Sequence, residues 1–138
     1  MVKDMLNDLR EVYSDFDIEF GRNRVTGDVI KKKNADSIKQ ALRLLIDTRY
    51  YSRVWHPEVG SYVQSLLFKQ NDNYIRDIER TELTKLITEN EPRITLDSIK
   101  FNTDLQELDS GIITIEITYT IKTIDVKDTF VYYINRIR

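Results

Sequence analysis

The chain contains no cysteine, which removes disulfides, thiolate metal sites and a cysteine nucleophile in one step and makes a reducing compartment harmless. Its one histidine, His56, cannot build a multi-histidine metal cluster, and no His-x-x-x-His or carboxylate run has ligand spacing. Four glycines spread through 138 residues form no phosphate-cradling loop, and no Gly-x-Ser-x-Gly turn supports a serine triad around His56. No metal or other cofactor is expected. Long apolar runs are missing too: nothing approaches the ~20 residues that span a bilayer. Val2, Met5, Leu6, Leu9 and Val12 are interrupted by Lys3, Asp4, Asp8, Arg10 and Glu11, unlike the apolar core of a signal peptide. Cytoplasmic synthesis without membrane insertion is the expectation.

What is present is an ordinary globular composition, 41% hydrophobic and 32% charged with a formal net charge of -2, and a length that suits one domain over residues 1–138. The charges are segregated. Residues 1–20 hold Asp4, Asp8, Glu11, Asp15, Asp17 and Glu19 against Lys3 and Arg10, whereas residues 21–53 hold nine Lys and Arg against Asp28, Asp36 and Asp47. A solvated face is the ordinary meaning of such a basic run. It lacks the interleaved aromatics of a stacking platform, so no nucleic-acid partner is expected.

Apolar residues at helical spacing over residues 2–12 make about three turns, too few to stand without packing, so 1–12 reads as a mobile or docked arm. Phe16-Asp17-Ile18-Glu19-Phe20 alternates as a short strand, Thr26-Gly27-Asp28 is a turn signal, and Lys31-Lys32-Lys33-Asn34 reads as a solvated connection. Ile38, Ala41, Leu42, Leu45 and Ile46 form the stripe of an amphipathic helix that Asn34 or Asp36 can cap. After an irregular stretch from Arg53 to Gly60, Ser61 and Gln64 have the spacing of a capping box for a second helix. A third, which Asn71 or Asp72 can cap, spreads Tyr74, Ile75, Ile78, Leu83, Leu86 and Ile87 over a wide arc.

The second of the two prolines marks where the chain changes character. Pro92 biases the residue before it away from the helical region, so the third helix ends near Asn90 or Glu91 and a strand leaves. With Glu91-Pro92-Arg93 extended, the carboxylate and the guanidinium project to the same side. Two readings stand: an intramolecular pair that staples helix to strand, or a docking site in which the guanidinium fork grips a partner. Beyond it, Ile94 and Leu96 share one phase and Ile99 and Phe101 the other, which predicts a bulge near Asp97-Ser98. Ile113 to Ile121 alternates as a strand with one wet face after the turn Asp109-Ser110-Gly111. A last strand puts Phe130, Tyr132 and Ile134 on one side, Val131, Tyr133 and Ile137 on the other. The predicted fold is α+β: a short N-terminal strand, three helices, then an antiparallel three-stranded meander.

Asp36 through Leu45, the loop Arg53-Val54-Trp55-His56-Pro57-Glu58-Val59-Gly60-Ser61, Leu66-Leu67-Phe68, and Asn90-Glu91-Pro92-Arg93-Ile94 together resemble the small baseplate wedge protein of contractile phage tails. That family includes a T4 baseplate wedge subunit and a type VI secretion counterpart. The resemblance covers roughly residues 25–138. It departs at Val59, where the family usually has phenylalanine, at Lys69, where an acidic residue is common, and in the longer arm. It implies a non-enzymatic sheath initiator, incorporated into the tail baseplate as part of a hetero-oligomer, whose partners are other wedge proteins and the tail sheath protein. Glu91, Pro92 and Arg93 are then the contact with wedge subunits, with Arg53 and Trp55 beside them as partner-binding residues. Trp55 itself reads either as an interface anchor or as a plug for the helix ends. The last strand, with Phe130, Tyr132 and the cationic Arg136, is expected to meet the sheath by strand addition. The alternative is a tail-associated glycosidase using Glu58 and Glu91 as acid and nucleophile, although nothing in the sequence sets their separation.

Overall fold

The computed structural model describes residues 12–68, 73–102 and 112–135. The arm before Val12, the caps at Asn71 or Asp72, the turn Asp109-Ser110-Gly111, and Arg136 lie outside them. The fold is α+β. The chain divides into two compact units, Met1–Ala41 and Leu42–Arg138, with the boundary inside a helix.

In the first unit, β1 (Ser14–Phe16) pairs antiparallel with β2 (Lys31–Lys33), with Asp15 opposite Lys32 and Phe16 opposite Lys31. The expected strand through Phe20 is thus cut short. Asp17 Oδ1 accepts the Glu19 N–H, and its carbonyl accepts from Phe20, which sits in left-handed backbone at φ 49°; a turn replaces the alternation. The three lysines, expected as a connection, are a strand paired with Ser14 to Phe16, and Lys32 in its middle pairs with Asp17 at 3.6 Å. The hairpin tip is the predicted turn, with Gly27 at φ 73° and Asn23 Oδ1 accepting the N–H groups of Val25 and Thr26.

Helix α1 (Asn34–Asp47) follows directly. Asn34, its first residue, sits in left-handed backbone at φ 44°. Its Oδ1 accepts the backbone N–H groups of Val12 and Tyr13, at 3.1 and 3.3 Å. Ser37 donates to Asp15, and Gln40 binds both the Phe16 carbonyl and the Ile18 N–H. Three polar residues spaced by three thus hold the hairpin to one side of the first half of α1.

In the second unit, Leu42, Leu45 and Ile46 of α1 are buried. The expected second helix is a 3₁₀ helix over Val63–Phe68. The capping box does not form, because Ser61 Oγ donates to the Ile46 carbonyl and Gln64 accepts from Arg49 Nε at 2.7 Å. Helix α2 (Asn73–Asn90) buries Glu79, Leu83, Leu86 and Ile87 and packs on β3 (Ile94–Asn102). Its apolar arc is narrower than expected, for Tyr74 and Ile78 are exposed.

The sheet runs β3-β4-β5, with β4 over Ile112–Ile121 and β5 over Val126–Asn135. Ile115, Ile117, Tyr119 and Ile121 of β4 are fully buried on one face, opposite Tyr132, Phe130, Asp128 and Val126 of β5. The register of β3 shifts between Leu96 and Ser98, as the phase change predicts. Asp97, released by the bulge, reaches across the sheet to accept from Thr120 at 3.0 Å on β4 and pair with Lys127 at 3.2 Å on β5.

Candidate functional site

The corner between α2 and β3 is built from charge and burial. Arg93 donates from Nε to Glu91 Oε1 at 2.6 Å and from a second guanidinium nitrogen to Oε2 at 2.7 Å. Glu91 is 4% exposed, and Pro92 between them faces solvent. Lys122 adds its ammonium to the Pro92 carbonyl at 2.9 Å and its N–H to the Arg93 carbonyl. This is the staple geometry, and it fixes the direction in which Pro92 is presented.

The loop over residues 48–60 is the second feature. Gly60 seats it: a Cβ there would meet the Tyr50 nitrogen at 2.4 Å, so the two backbones approach as only glycine permits. Tyr51, at φ 64°, donates its N–H to the Pro57 carbonyl, Ser52 folds back on Arg49, and Ser61 N–H binds Thr48. The base is therefore fixed while the tip is bare. Trp55 is 88% exposed, with Val54 and Tyr51 exposed beside it, so Trp55 plugs no helix end. His56 and Glu58 pair at 3.1 Å in solvent; a hydrogen bond from its own N–H, then the His56 contact, hold the Glu58 carboxyl below the usual range.

Between this loop and the C-terminal half of α2 lies an open cleft of about 320 Å³, lined by residues that include Arg53, Glu82, Lys85, Glu89 and Asn90. Tyr50, stacked 4.5 Å from Tyr62, donates to Glu82 there, and burial followed by the Glu82 charge push its hydroxyl pKa up. Arg53 thus lies in a cleft that runs to Asn90, one residue from the corner; Trp55 does not line it. Glu82, Lys85 and Glu89 were not singled out from sequence. Their only sequence signal is a charged i, i+3, i+7 row on α2.

Phe130 and Tyr132 lie together on the inner face of β5, ring centres 6.3 Å apart, and are half-buried. Tyr132 is engaged internally: its hydroxyl donates to Asp47, which Arg43 also approaches, and burial first, then Asp47, raise its pKa strongly. Among the described residues no group of three His, Asp or Glu side chains could hold a metal ion. No described helix is long and apolar enough to cross a membrane.

The model of the family described as baseplate wedge protein gp25 matches residues 32–125, a span that holds both the loop and the corner. No curated protein sequence matches the chain. Among solved structures, a chain of the anti-feeding prophage baseplate aligns with a TM-score of 0.67 at 19% identity, covering 79% of this chain and 85% of that one. A Geobacter sulfurreducens protein provisionally named a tail lysozyme aligns with a TM-score of 0.62 at 22% identity, covering 73% and 89%. At these identities the structural likeness is one of fold, while the family match spans over half of the chain: it belongs to the baseplate wedge protein gp25 family.

Proposed function

We propose that this protein is a non-enzymatic component of a contractile-tail baseplate, made in the host cytoplasm and built into the wedge. The Glu91-Pro92-Arg93 corner and the Arg53/Trp55 loop hold other wedge subunits, and β5 receives the sheath protein by strand addition. The observation that carries the reading is the open side of β5. Among the described residues this ten-residue strand pairs only with β4 and contains no proline. Apart from the Thr129 N–H, which donates to Asp128 Oδ1 at 2.8 Å, the outward N–H and C=O groups of such an edge are a template for another strand. On its outer face Val131 and Tyr133 are exposed, offering alternate side chains for register.

The corner supports docking by rigidity. Two-point pairing leaves the guanidinium one orientation, so the surface around Pro92 is set before a partner arrives. The same pairing speaks against the glycosidase alternative, since a carboxylate whose two oxygens are both held by one guanidinium is a restrained nucleophile. Hydrogen exchange tests strand addition. The outward-facing amides of residues 126–135 should exchange readily in the free protein and become protected when purified sheath protein is added. Protection that sheath protein leaves unchanged would refute it.

A further inference from the structure

The hairpin of the first unit carries an apolar surface that the baseplate reading leaves unused. Phe16, Ile18, Phe20, Val25 and Ile30 are all exposed, Phe20 by 72% and Val25 by 93%. Single exposed apolar residues need no explanation, but five on one short hairpin exceed scattering. Phe16 sits directly across the ladder from Lys31, and the Ile30 side chain lies over Gly21. Arg22 bridges to Val29 and donates to the Gly27 carbonyl, so a cation is fixed near the tip.

The charges around these residues are sorted by exposure. Asp15 and Asp17 turn inward, to Ser37 and Lys32. That leaves Arg22, Arg24, Lys31 and Lys33 exposed against Glu19 and Asp28. Among the described residues Arg24 and Lys31 form no ion pair. Such a surface disfavours a second copy of itself, because cations would meet cations. Its modest excess of charge is too small for a nucleic-acid backbone, where affinity is built from many phosphate contacts. An edge-to-edge strand contact is also blocked on β1, where Gln40 takes the Phe16 carbonyl and the Ile18 N–H.

We propose that this hairpin face docks a segment of another protein that combines apolar side chains with carboxylates, the apolar groups covering Phe16, Phe20 and Val25 and the carboxylates meeting Arg24 and Lys31. This rests on the reading of the chain as an assembly component. It adds a contact separate from the Glu91-Pro92-Arg93 corner, the Arg53/Trp55 loop and β5.

The test uses the full chain in baseplate assembly from purified wedge proteins, with R24E/K31E and F20N as variants. Asparagine tolerates the left-handed backbone of residue 20, so F20N removes the ring without straining the turn. Both variants should keep the thermal midpoint of the parent and lose incorporation about tenfold, with the parent's incorporation weakened by salt and that of R24E/K31E indifferent to it. Replacing Phe20 by p-benzoylphenylalanine should yield a photo-adduct that maps to a carboxylate-bearing apolar segment of a wedge protein. Parent-like incorporation of both variants overturns the inference and leaves the assembly reading standing; failure of the parent to incorporate overturns both. Binding of the parent to phosphatidylserine vesicles or to a single-stranded oligonucleotide, lost in R24E/K31E, would assign the face to a membrane or nucleic acid instead.

Discussion

A Cβ at Gly60 would stand 2.4 Å from the Tyr50 nitrogen and 2.6 Å from the Arg49 carbonyl carbon, backbone atoms with no rotamer to escape into. Gly60→Ala is expected to cost about 1–3 kcal/mol, toward the upper end because the loop base must open. A urea midpoint equal to that of the parent would show that the approach relaxes freely. Arg93 is a different kind of residue, since what its removal leaves behind matters most. Arg93→Ala strands a carboxylate that is 4% exposed, and breaking a buried pair in this way costs about 3–5 kcal/mol. Arg93→Lys keeps a charge without the two-point grip and should lose less. Assembly compared at equal folded fraction then separates the two readings of the corner. If Arg93→Lys assembles normally wherever it is folded, the residue is a staple and no more.

At the scale of elements, sequence legibility tracks how local the deciding interaction is. The β3 bulge was readable because its signal, a phase change between Leu96 and Ile99, is carried by the strand itself. Strand β2 was not, because lysine has little strand preference and Lys31 to Lys33 are held by the ladder with Ser14 to Phe16 across from them and by the Lys32–Asp17 pair. The second helix is 3₁₀ and lacks its predicted capping box for a related reason, its capping side chains being drawn to Ile46 and Arg49. Gln40 gives this a measurable form. It covers the outer edge of β1, so Gln40→Ala should speed exchange of the Ile18 amide about fivefold, the loss of roughly 1 kcal/mol of local hydrogen bonding, with little change in global stability. An unchanged Ile18 rate would mean that the edge is closed by something else.

The link from β5 to the end of α1 sets a second element-scale expectation, through pH. Tyr132 donates to Asp47, and its folded-state pKa is raised above the ordinary value near 10, first by burial and then by the Asp47 carboxylate. A raised pKa contributes stability that is fully present below the unfolded value and is lost as pH climbs toward the folded one. Tyr50 is shifted the same way, so unfolding should become easier above about pH 10. Tyr132→Phe should be less stable at neutral pH yet show a shallower alkaline decline. Parallel stability curves for the two proteins between pH 9 and 11 would count against this link.

For the molecule as a whole, the family was legible in two short motifs at a suitable separation, because loop and corner are local chemistry that the fold only positions. What the residues do there was less legible. Whether Trp55 was buried or bare, and whether Glu91 and Arg93 served each other or a partner, depended on packing that no window of sequence reports. The question of enzyme or scaffold turns on the same facts. A glycosidase needs one carboxyl that keeps its proton near neutrality and another free to attack, the two held at a defined separation across a substrate-sized groove. Here Glu58 is exposed, with its pKa lowered by its own backbone N–H and His56, which suits neither a proton donor nor a dry pocket. Glu91 is buried and takes two hydrogen bonds from one arginine, so it cannot reach a sugar without breaking the corner. Purified protein is therefore expected to leave a peptidoglycan suspension turbid over hours, and Glu58→Gln to behave as the parent does. Reproducible clearing that disappears in Glu58→Gln, a variant whose exposed site leaves the fold undisturbed, would make the chain an enzyme and reduce the scaffold reading to a second role.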